Sequence, residues 1–229
     1  MFKDRREAGR RLAEALGPLR GRTDLLVLGL PRGGIPVAFE VAMALHAPLD
    51  AFVVRKLGVP GHEELAMGAI ATGGVRLLNR ETIRQFSISP QAVRRVMKIE
   101  QGELERRERA YRGARPAPEI RGRIIVVVDD GLATGASMTA AVAALRQQQP
   151  AVIIAAAPVG ALETCAALRA VADICVCVNT PEPFYGVGQW YADFGSTTDA
   201  EVRTLLDTAA QLPSMRTATP ASSSGGAPV

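Results

Sequence analysis

The chain of 229 residues is poor in aromatic side chains, which make up 4% of it, and it holds only three cysteines. It has no stretch approaching the ~18 uninterrupted apolar residues of a membrane-spanning helix. Its opening, MFKDRREAGRR, lacks the apolar segment of a signal peptide. These absences argue against a membrane protein and a disulfide scaffold. They predict a cytoplasmic location, with Cys165, Cys175 and Cys177 as buried thiols rather than metal ligands. Two nucleotide signatures are also missing. No Gly-Lys-Ser/Thr closes a glycine loop, which disfavours the nucleoside-triphosphate P-loop, and no Gly-x-Gly-x-x-Gly marks a dinucleotide site. There is no internal repeat.

What is present is ordinary globular material: 48% hydrophobic and 22% charged residues, with a net charge of +4. Charge runs such as GELERRERAYR (102–112) mix both signs, which reads as a solvated helix face and not as a nucleic-acid footprint. The length suits one well-buried domain, placed at 1–212, and the segment 213–229, PSMRTATPASSSGGAPV, has the composition of a disordered tail.

Apolar runs alternate with helical patterns. An amphipathic helix is expected over about 3–17, ended by Gly17-Pro18, and DLLVLGL (24–30) has the length and continuity of a buried strand. PRGG and the helical stretch IPVAFEVAMALH follow it at once. LDAFVVRKLG (49–58) predicts the next strand, VPGHEELAMGAIATGG (59–74) a long loop, and VRLLN (75–79) a short strand. Ser89-Pro90 caps a charged helix running to about 112. RIIVVVD (123–129), AVIIAAAPVG (151–160) and DICVCVN (173–179) supply three more strands, with helices between them. This order predicts an α/β fold with a central parallel sheet flanked by helices, whose ligands bind beyond the carboxyl ends of the strands. Both glycine loops, 31–34 and 130–137, and the pair Arg55-Lys56 are expected at that edge.

The richest segment is VVVDDGLATGASM (126–138). Gly131, Ala133, Gly135 and Ala136 are small enough for backbone N–H groups to approach an anion, the helix beginning near Ser137 adds its positive end, and Thr134 and Ser137 add hydroxyls. Carboxylates beside a phosphate site repel it unless a diol or a divalent cation lies between. Asp129 and Asp130 can accept from two neighbouring hydroxyls and draw Mg²⁺. A phosphate at one end and a diol at the other describe a ribose 5-phosphate.

This segment resembles the phosphoribosyl-pyrophosphate motif of the type I phosphoribosyltransferases, and the likeness covers about 24–180. The resemblance implies that Asp129 and Asp130 bind the ribose hydroxyls and a Mg²⁺ ion, and that Ala133, Thr134, Gly135, Ala136 and Ser137 bind the 5-phosphate. GLPRGG resembles the family's pyrophosphate loop, with Arg32, Gly33 and Gly34. VVRK resembles the strand end that adds Arg55 and Lys56 to the same pyrophosphate, and the flexible loop of the family falls on 57–74. The implied reaction transfers ribose 5-phosphate from phosphoribosyl pyrophosphate to a nitrogenous base, with Arg32, Arg55, Lys56, Asp129 and Asp130 as its catalytic residues. Position 133 is Ala where hypoxanthine-guanine enzymes carry an acid, so the pattern is closer to adenine enzymes. That leaves Glu63 or Glu64 as candidate bases. The family commonly forms homodimers.

Half of the chain's ten aromatic residues fall in PEPFYGVGQWYADFG (181–195). This segment is expected to form an aromatic hood over a nucleobase-like acceptor, with Phe184, Trp190 and Tyr191 stacking and Asp193 reading an acceptor N–H. The alternative is that these rings close the core beneath an irregular loop. The alternative to an enzyme is a non-catalytic regulator of the same fold that senses phosphoribosyl pyrophosphate.

Overall fold

The apolar runs form a parallel sheet buried on both faces. The computed structural model describes residues 1–212, so the segment 213–229 lies outside the described residues. Strands β1 (Leu25–Gly29), β2 (Leu49–Ala51), β6 (Ile124–Val128), β7 (Val152–Val159) and β8 (Ile174–Asn179) pair in the order β2-β1-β6-β7-β8, all parallel. Because successive side chains point to opposite faces, Leu26, Leu28, Ile125 and Val127 enter one core and Leu25, Val27, Val126 and Val128 the other. The first core is covered by α5 (Ala136–Gln147) through Met138, Val142 and Leu145, and by α6 (Leu162–Leu168) through Cys165 and Leu168. The second is covered by α1 (Arg5–Ala15) through Leu12 and by α2 (Gly34–Leu45) through Val37, Val41 and Leu45. Removing a side chain such as that of Leu28, 1% exposed, costs about 2–5 kcal/mol.

The run 49–58 is not one strand. It breaks at Phe52-Val53 into β2, which joins the parallel sheet, and β3 (Val54–Val59), which joins a separate antiparallel sheet with β4 (His62–Ala71) and β5 (Val75–Leu78). The long loop expected at 59–74 is therefore mostly strand. Pro60-Gly61, with Gly61 at φ +79°, turns β3 directly into β4. The second half of β4 supports this pairing by burying Met67, Ile70 and Ala71, while His62–Ala66 stand exposed at the tip. Leu57, Met67, Val93, Leu104, Tyr111 and Val202 form a third core, joining this unit to α4 (Pro90–Arg112) and α7 (Asp199–Gln211). Helix α4 begins as expected at Ser89, whose hydroxyl accepts from the Ala92 amide at 3.2 Å. A short helix, α3 (Arg80–Gln85), precedes it.

The sheet order determines where a ligand can sit. From β1 the chain goes to one side, to β2, and later to the other side, through β6, β7 and β8. The crevice beyond the carboxyl ends of β1 and β6 is a topological switch point, the place where open α/β sheets bind their ligands. The loops 31–34 and 129–135 leave those two adjacent strands.

Candidate active site

Segment 129–137 is held open by contacts at its first acid and at Leu132. Asp129 N–H donates to Ala156 O at 3.2 Å, and Leu132 N–H to Val159 O at 2.9 Å, while Ala161 N–H returns to Leu132 O at 2.9 Å. These bonds extend the β6–β7 ladder past the acids and bury Leu132. Gly135 lies at φ +69°, where a side chain is strained, and a β-carbon there would stand 2.6 Å from Cγ2 of Thr164. Thr164 of α6 holds the loop from below by donating its hydroxyl to Ala133 O at 2.6 Å. Ala133, Thr134, Ala136 and Ser137 are exposed. Among the described residues, the N–H groups of Ala133, Thr134, Gly135 and Ser137 have no protein acceptor. Four free amides at the N-terminus of a 12-residue helix form an anion cradle.

The acids lie between this cradle and the loop 31–34. Leu30 N–H donates to Val128 O at 2.8 Å, and a β-carbon on Gly33 would overlap the Asp130 carboxylate. The missing side chain of Gly33 thus makes room for Asp130. The Pro31–Arg32 peptide is cis. Asp129 Oδ1 accepts the Asp130 amide at 2.9 Å, and Asp130 Oδ2 accepts Nε of Arg5 at 2.8 Å. Burial pushes the Asp129 carboxyl well above the usual carboxylate range, and the neighbouring Asp130 pushes it further. Tyr191 donates its hydroxyl to Asp130 O, and burial followed by the Asp130 charge raises its phenol well above the ordinary tyrosine value.

Arg5 carried no signal in the sequence. It lies 125 positions from Asp130 and reads as one charge on an amphipathic helix. In the fold its side chain is 12% exposed, and its guanidinium bonds Asp130, donates through Nη1 to Gly195 O at 2.7 Å, and stacks 4.0 Å from the centre of the Phe194 ring. On the same flank a cleft of about 260 Å³ is lined by Arg5, Arg6, Asp193, Ser196 and Glu201.

The other expected residues are less tightly gathered. Arg32 is half exposed at the rim, 3.9 Å from Asp199, which also takes Arg106 and the Tyr111 hydroxyl. Arg55 and Lys56 were expected at the end of a parallel strand, but they lie on β3 of the antiparallel unit. There Arg55 bonds Glu100 of α4 at 2.7 Å and Lys56 donates to Glu64 O at 3.2 Å. Among the described residues no hydrogen bond or ion pair joins either to 31–34 or 129–137. Glu63 and Glu64 stand exposed at the hairpin tip.

The hood is partly core. Tyr191, 5% exposed, packs on Phe2 with ring centres 5.5 Å apart, and Phe184 and Trp190 lie against the same cluster as Val159. The core-closing alternative holds for Tyr191. Phe184 and Trp190 are half-buried, and among the described residues the Trp190 Nε1 proton has no acceptor. Asp193 is exposed and lines the cleft. Cys165 is buried and Cys175 and Cys177 half-buried, all three as free thiols.

Residues 4–193 match the family described as the phosphoribosyl transferase domain. The chain belongs to this family. It is 46% identical over 209 residues to proteins from two strains of Mycobacterium tuberculosis, each named "putative phosphoribosyl transferase". That match takes in 91% of this chain but 47% of theirs, so the chain spans about half the length of those relatives. It also resembles the crystal structure of TT1426 from Thermus thermophilus, at 43% identity and a TM-score of 0.80, covering 90% of this chain and 97% of that one. As a phosphoribosyl transferase domain it has the expected central parallel sheet between helices. Among the described residues, no helix is long and apolar enough to cross a membrane.

Proposed function

We propose that this domain transfers the ribose 5-phosphate of phosphoribosyl pyrophosphate to a nitrogenous acceptor and releases pyrophosphate. The observation that carries this reading is the crevice between β1 and β6, where a cradle of free amides, a pair of carboxylates and a second glycine loop follow one another. The 5-phosphate sits on the amides of 133–137 and on the positive end of α5. The ribose diol is taken by Asp129 and Asp130, and the pyrophosphate lies along Arg32, Gly33 and Gly34. Arg55 and Lys56 join it after leaving their present partners, Glu100 and Glu64.

Two adjacent carboxylates with no third His, Cys, Asp or Glu beside them, among the described residues, suit Mg²⁺, which keeps several waters and takes its other oxygens from a bound substrate. Asp129 and Asp130 would hold it. When bound, the ion supplies positive charge against the leaving pyrophosphate.

In the transfer the acceptor nitrogen forms a bond to C1 of the ribose as the bond from C1 to the pyrophosphate oxygen breaks, and the electron pair leaves with pyrophosphate. Positive charge develops on the sugar ring, where the Asp129-Asp130 pair is placed to stabilise it. Negative charge grows on the leaving group, beside Arg32 and the amides of 32 and 33. On the acceptor side, Asp193 and the half-buried rings of Phe184 and Trp190 would meet the base, and Tyr191 acts by holding the backbone of Asp130.

The test is calorimetric titration of phosphoribosyl pyrophosphate with Mg²⁺ and again with a chelator. Micromolar binding that weakens when the metal is removed supports the donor site, and transfer assays across nucleobases then follow. Absence of binding in both conditions overturns the reading.

A further inference from the structure

We propose that Arg5 is a positioning residue of the donor site, anchoring one oxygen of Asp130 so that the other faces the ribose diol; this rests on the donor reading above. The arrangement of oxygens carries it. Each acid has one oxygen held by the protein: Asp129 Oδ1 by the Asp130 amide at 2.9 Å, and Asp130 Oδ2 by Arg5 at 2.8 Å. Among the described residues, Asp129 Oδ2 and Asp130 Oδ1 accept nothing from the protein. One anchored and one free oxygen on each of two adjacent acids is the pattern that two neighbouring hydroxyls require.

Asp130 is enclosed on its other sides. Gly33 closes against its carboxylate and Tyr191 holds its carbonyl. The side chain therefore has little room to turn, and Arg5 decides which oxygen remains available. Arg5 is itself fixed at two further points, by Nη1 on Gly195 O at 2.7 Å and by its face 4.0 Å above Phe194. Its planar fork can span Asp130 and Gly195 at once, which a lysine ammonium cannot. Helix α1 and segment 194–195 thus reach the donor carboxylate through one guanidinium.

A surface ion pair would give a different result on mutation. The Arg5–Asp130 pair is 12% and 16% exposed, so its loss is not made good by water. The experiment is titration of phosphoribosyl pyrophosphate with Mg²⁺ into the full chain, its Arg5→Ala variant and its Arg5→Lys variant, with melting temperatures recorded for each. Arg5→Ala is expected to weaken binding by about 10- to 100-fold, the range of a lost hydrogen bond to a charged group. Millimolar methylguanidinium is expected to restore part of the affinity, and methylammonium none. Arg5→Lys, which keeps the charge and serves if Arg5→Ala does not fold, is expected to lose about tenfold. Binding by either variant within about twofold of the unaltered chain, or equal rescue by both amines, would overturn the proposal and leave the donor reading intact. Failure of the unaltered chain to bind would overturn that reading, and this proposal with it.

Discussion

Gly33 and Asp130, 97 positions apart, pack so closely that a β-carbon on Gly33 would occupy the space of the Asp130 carboxylate. The loop 31–34 and the acidic loop are therefore one surface. Gly33→Ala is expected to push Asp130 off Arg5 and to lower donor affinity about tenfold or more, the size of one lost charge-assisted hydrogen bond. The check is donor titration of a variant whose circular dichroism matches the unaltered protein; equal affinity would show that the two loops do not act together.

At Gly135 the constraint is the backbone. Its φ of +69° and its distance from Thr164 leave no room for a branched side chain. Gly135→Val is expected to cost about 1–2 kcal/mol or more of stability and to displace the 5-phosphate. A crystal of the variant with phosphate seated on 133–137 would refute the cradle.

Thr164 supports that cradle without touching a ligand. Thr164→Val keeps the shape and removes the 2.6 Å bond to Ala133 O. A loss of about 2- to 10-fold in donor affinity is expected, equivalent to roughly 0.5–1.5 kcal/mol for one net hydrogen bond, with little change in melting temperature. Titration of inorganic phosphate should report the same loss, since the contact serves the phosphate end alone.

Tyr111 provides a test in pH. Burial, with the hydrogen bond to Asp199, raises its phenol from 10 to about 12. A raised value means that the folded chain holds this proton more tightly than the unfolded one. The stabilisation is full below pH 10 and is lost as pH rises from 10 through about 12. Urea midpoints of the unaltered chain should exceed those of Tyr111→Phe at pH 9 and converge toward them near pH 12. A gap that stays constant across this window would assign the effect to packing.

Strands β1, β6, β7 and β8 were legible because each is a continuous apolar run, and the loop and helix start at DDGLATGAS were legible because small residues and hydroxyls precede a helical pattern. The break at Phe52-Val53 was hidden, since β2 and β3 share one unbroken hydrophobic pattern and only sheet pairing separates them. The hairpin tip at Pro60-Gly61 did carry a turn signal, but the exposed, mixed-polarity residues 62–66 masked the strand that follows it.

The sequence by itself determined the alternation of strands and helices, the two glycine loops and the adjacency of the two acids, because periodicity and side-chain size are local properties. Tertiary structure alone decided what those groups meet. It brought Arg5 to Asp130 across 125 positions, drew Tyr191 inward onto Phe2, and tied Arg55 to Glu100. Such pairings depend on where the sheet order and the helix faces carry distant side chains, and no local pattern records that.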